Sequence, residues 1–75
     1  MKKIAQEDYI KVFNELTAES KDAKVEITTF DYESITGTVV KFDEDNREGA
    51  LVQVQDKEGV INEIELDFIF EVIVL

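Results

Sequence analysis

The stretch from Ser34 to Asp43 (SITGTVVKFD) constrains the fold more than any other part of the chain. Val, Ile, Thr and Phe favour an extended backbone, so it reads as one long strand. Gly37 sits inside it. A glycine within a strand marks a sharp bend or a close backbone approach. The apolar phase also slips: Ile35 and Val39 share one face, Val40 and Phe42 the other. Such a strand serves one core only if it bends or twists between the two sets, as in a small barrel. The alternative is a strand buried on both faces.

The helical period precedes it. From about residue 5 to 17, Tyr9, Phe13 and Leu16 recur at helical spacing, with Ile10 and Val12 widening the stripe. Glu7 and Asp8 fall in the first turn, where the helix dipole favours acids. The polar face is not basic, so the stripe is suited to a protein core rather than a membrane surface. A polar connector spans residues 17–22. From Lys24 the period becomes two: Val25, Ile27 and Thr29 alternate with polar residues, a half-buried strand. Asp31 to Ser34 supplies a turn, and the long strand follows.

The segment from Asp43 to Gly49 reads as an acidic loop. Val52 and Val54 mark a third strand, Asp56-Lys57-Glu58-Gly59 a hairpin, and Val60, Ile64 and Leu66 a fourth strand. The last stretch, Phe68 to Leu75, is apolar on both faces apart from Glu71. Such a strand must be covered or paired. Pairing with a second subunit is the expectation, with burial inside the monomer as the alternative.

Size sharpens that expectation. The chain has 75 residues, read as one domain over 1–75, with no cysteine and no histidine. A domain this small removes only about 60% of its unfolded surface from water. Disulfides and structural zinc are unavailable to staple it, which leaves association as the common way to add buried area. The usual nucleophile–base pairs of catalysis are mostly missing too, and Ser20 and Ser34 stand alone. No catalytic residue, metal site or cofactor is assigned, and no enzyme is expected. Calcium is a poor match for Asp43, Glu44, Asp45 and Glu48, because Arg47 falls where a third ligand would be. No apolar core follows Lys2-Lys3, and no run is long enough to span a bilayer. A cytoplasmic protein without a membrane partner is expected. The net charge of −10 repels phosphates at long range.

Helix, then five strands with a long second one, resembles the Sm-like family (the Sm, LSm and Hfq proteins). Gly37-Thr38-Val39-Val40-Lys41-Phe42-Asp43 matches the family's first motif, Gly-x-hydrophobic-x-x-Phe-Asp. The resemblance implies a mainly β fold: an N-terminal helix over about 5–17 and a strongly bent five-stranded antiparallel barrel over about 24–75. It also implies a homo-oligomeric ring, in which the fourth strand of one subunit pairs with the fifth of the next. Ile64, Leu66, Phe68, Phe70, Val72 and Val74 would then line the subunit interface. A weaker resemblance links Leu66, Ile69, Ile73 and Leu75 to the C-terminal barrel of the RimP ribosome-maturation family, where it accompanies another domain.

RNA is the ligand the Sm-like resemblance implies, and several positions depart from the family pattern. Tyr32 stands where a turn glycine is usual. Asn46 falls one position before the base-reading asparagine, and Arg47 fills that slot. Leu66-Asp67-Phe68-Ile69 replaces the basic second motif. What remains for RNA is Lys41, Asp43, Asn46 and Arg47, with Phe30, Tyr32 and Phe42 as aromatics that stack on bases or fill the core. Two other functions compete: an acidic protein-interaction scaffold of phage or bacterial origin that binds no nucleic acid, and an acidic mimic of nucleic acid.

Overall fold

The computed structural model describes residues 1–19 and 23–75. The strands are β1 (Lys2–Ile4), β2 (Lys24–Thr29), β3 (Ser34–Asp43), β4 (Leu51–Asp56), β5 (Ile61–Glu65) and β6 (Ile69–Val74). They form a single open antiparallel sheet in the order β1-β6-β2-β3-β4-β5. Helix α1 (Tyr9–Glu19) follows a 3-10 turn at Gln6–Asp8. Mainly β with an N-terminal helix is therefore the architecture, but with six strands among the described residues where five were expected. The additional strand is β1. Three residues are too few to show an alternating pattern, and only Ile4, 6% exposed, enters the core.

Helix α1 ends two residues later than expected, at Glu19. Residues 20–22 of the expected connector, Ser20 among them, lie outside the described residues. Tyr9, Phe13 and Leu16 are buried on the sheet, as their spacing predicts, and Val12 packs beside them. Ile10 does not widen the stripe and is exposed instead. Phe13 is fully buried and touches two aromatics, with ring centroids 6.2 Å from Tyr9 and 5.4 Å from Phe42.

Strand β3 resolves its phase slip with a bulge. Val39 pairs with Val54 and Lys41 with Gln53, so Val40 has no partner across the ladder. One extra residue flips the side-chain alternation. Val39 and Phe42 therefore both reach the core, and Val40 is pushed out to solvent. Gly37 meets the other demand on this strand. It lies opposite Asp56, and a Cβ built on it would come within 2.1 Å of the Gln55 carbonyl oxygen. No side chain fits there.

Between β2 and β3 the chain turns through Tyr32, at φ +67°, the left-handed region that suits glycine. The Thr29 amide donates to the Glu33 carbonyl (2.9 Å), and the Thr29 hydroxyl bonds the Asp31 carboxylate. Between β4 and β5, Asp56 accepts from the amides of Glu58 (2.9 Å) and Val60 (3.0 Å), and Gly59 takes φ +83°. These bonds, that to Val60 foremost, hold the Asp56 carboxyl below its ordinary range.

The two-sided apolar end divides into a 3-10 turn (Leu66–Phe68) and β6. Strand β6 lies between β2 and β1, with Val72 facing both Ile27 and Ile4. A second bulge falls here: Thr28 pairs with Glu71 and Thr29 with Ile69, which leaves Phe70 out of the ladder. Phe70 is 57% exposed and meets Phe30 edge-on, centroids 5.6 Å apart. The outer edge of β6 is covered along Val72–Val74 by β1, and Lys3 bridges to Glu71 at 3.3 Å.

Three outcomes follow for stability in urea. Gly37→Ala collides with backbone rather than with a flexible side chain, and lowers stability by on the order of 2–3 kcal/mol. At Tyr32, which is 86% exposed and has little packing to lose, Gly raises stability by about 0.5–1 kcal/mol while Val lowers it. Burial lifts the Tyr9 phenol above its ordinary value, and the Glu71 carboxylate adds to the lift. The neutral phenol is the form the fold favours, so its contribution is present below about pH 10 and is lost as pH rises through the raised value. Tyr9→Phe therefore unfolds less steeply than wild type above that pH.

Candidate functional site

Lys41 and Asp43 leave the end of β3, and Asn46 belongs to the loop that follows. The fold brings these three to one small recess of about 200 Å³, lined also by Leu51, Gln53 and Glu63. Arg47 is exposed and does not line it. The polar atoms here are largely occupied by the loop itself. Asp43 accepts from the Asp45 amide (3.2 Å) and Asn46 from the Glu48 amide (2.9 Å). Gln53 donates to Glu63 at 3.1 Å. One lysine therefore stands among two carboxylates, an electrostatic setting unfavourable to phosphate.

The aromatic candidates separate. Phe42 is a core residue against Phe13. Phe30 and Tyr32 are exposed, and Phe30 pairs with Phe70. Of the residues the resemblance assigns to a subunit interface, Ile64 and Val72 lie in the chain's own core, and Leu66 and Val74 pack against it. Phe68 (45%) and Phe70 (57%) are exposed. Among the described residues, no three acidic side chains gather closely enough to hold a metal ion.

A larger groove of about 600 Å³, which shares Glu63 with the recess at Lys41, lies between β5 and the β2–β3 turn. Sites for ligands typically measure about 300–1,000 Å³. Its apolar lining is Ile35, Ile61, Ile64 and Phe68. Its acids are Asp31 and Glu33 from the turn and Glu63 and Glu65 from β5. Among the described residues, no lysine or arginine lines it. One end is tied by the Phe30 amide, which donates to the Phe68 carbonyl at 3.0 Å. Strand β5 pairs with β4 on one side and, among the described residues, with no strand on the other.

The sequence marks one residue on each wall of this groove, Ile64 of the fourth strand and Asp31 at the start of the polar turn, without joining them. They are about thirty residues apart, and only the sheet order brings them together. Compared with protein-family models, curated proteins and solved structures, the chain finds no match.

Proposed function

We propose that this chain is a non-enzymatic, acidic protein-interaction module that works through the open edge of β5. The observation that carries this reading is the unpaired strand edge beside an apolar, acid-lined groove. An unpaired edge offers a row of backbone donors and acceptors to another chain. The apolar residues beside it supply area to bury, and the net charge of −10 selects against nucleic acid.

An RNA-binding, Sm-like ring is the second reading. Its support is the convergence of Lys41, Asp43 and Asn46 at the end of the long second strand of the resemblance, together with the exposed Phe68 and Phe70. In that ring the β5 edge meets the β6 edge of the next subunit. Strand β1 already covers part of that β6 edge, so ring closure requires β1 to move or to serve as the mating strand.

Titration with short uridine and adenosine oligomers at low and moderate salt decides between the two. The protein-interaction module gives no affinity at either salt. An affinity that weakens steeply with salt and is lost in Lys41→Glu transfers the function to the RNA reading.

A further inference from the structure

The groove beside β5 has the features of a gap left for a strand. Residues 62 and 64 of β5 turn inward, with Ile64 buried, while Ile61, Glu63 and Glu65 are exposed. Ile35 and Phe68 line the same groove, together with Asp31 and Glu33. A seventh strand hydrogen-bonded to β5 would set every second side chain between Ile64 and Ile35. Its other side chains would stand near Glu63 and Glu65, because same-face neighbours on adjacent strands lie about 5 Å apart.

We propose that this groove receives an extended segment of a partner protein in which aliphatic residues alternate with lysine or arginine. The proposal rests on the reading of β5 as a protein-binding edge. Three observations select this occupant. The acids are spread along the groove and do not converge on a point, so they match several cations at strand spacing rather than one metal ion. Among the described residues no cation lines the groove, so the bonds that Asp31 and Glu63 accept there come from neutral groups and their charge is unmatched. The apolar residues on the same walls require a segment that is aliphatic on its other face. A second copy is the weaker occupant, since two bodies of net charge −10 repel. Among the described strands its one basic edge strand, β1, is three residues long.

The test uses the full chain and three short labelled peptides. One alternates Lys with Val, one has the same composition with all Lys grouped together, and one alternates Thr with Val. Binding is read by fluorescence anisotropy, and its place by amide shifts in NMR. The alternating basic peptide is expected to bind at least about tenfold more tightly than either other, to shift the amides of β5, and to weaken as salt rises. Glu63→Lys with Glu65→Lys removes that preference, whereas Glu48→Lys with Glu58→Lys, equal in net charge, keeps it. Thermal unfolding checks that both variants fold, and the three-peptide comparison on wild type stands if they do not.

Equal binding of the grouped peptide reduces the effect to net charge and overturns the proposal. Equal binding of the Thr–Val peptide at β5 overturns the basic occupant and leaves the protein-binding edge standing. A native mass showing a dimer that the peptide dissociates gives the edge to a second copy. No shift at β5 with any peptide, in a protein that runs as a monomer, overturns both readings.

Discussion

Strand β3 must feed one core from residues that are out of phase, and the sheet depends on how it does so. The bulge at Val40 supplies the missing residue of phase, and Phe42 can then lie on Phe13. Gly37 allows the β4 backbone to come closer than any side chain would permit. Both features sit within one strand that pairs with β2 on one side and β4 on the other. The hydrophobic core of α1, β2, β4 and β6 is built around that alignment. A small domain has little surplus stability to cover an error there.

Charge shapes the outside as burial shapes the inside. The described cations are spread thinly, and the acids concentrate in loops, turns and the exposed face of β5. The recess that unites Lys41, Asp43 and Asn46 is small and internally bonded. The groove beside β5 is roomier, and among the described strands none pairs with the outer edge of β5 that borders it. Proteins usually blunt such an edge with charge. Here Glu63 and Glu65 do so against neutral or acidic strands while favouring basic ones, so the same two residues resist aggregation and set selectivity.

Much of the fold was legible because period alone carries it. Tyr9, Phe13 and Leu16 declare a helix face, Val25 and Ile27 a half-buried strand, and Asp56 to Gly59 a hairpin. The limits of β3 match the reading at both ends. Strand β1 was not legible, because its pairing is with residues about seventy positions away and no local pattern announces it. The mixed apolar faces of the last stretch have two local causes, a bulge at Phe70 and the cover provided by β1. Tyr32 was marked by the family pattern as a glycine position, and its backbone does adopt the conformation that glycine favours. The groove needed two distant segments placed side by side, which no window along the chain can show.

The pairing of β1 with β6 has a topological consequence. Lys2 stands opposite Val74 in an antiparallel ladder, so the chain enters and leaves at the same corner of the sheet. Whatever polypeptide is attached at either end emerges next to what is attached at the other. A host protein could therefore carry this unit spliced into a surface loop, its own backbone interrupted by little more than the width of two strands, with β5 on the far rim still accessible.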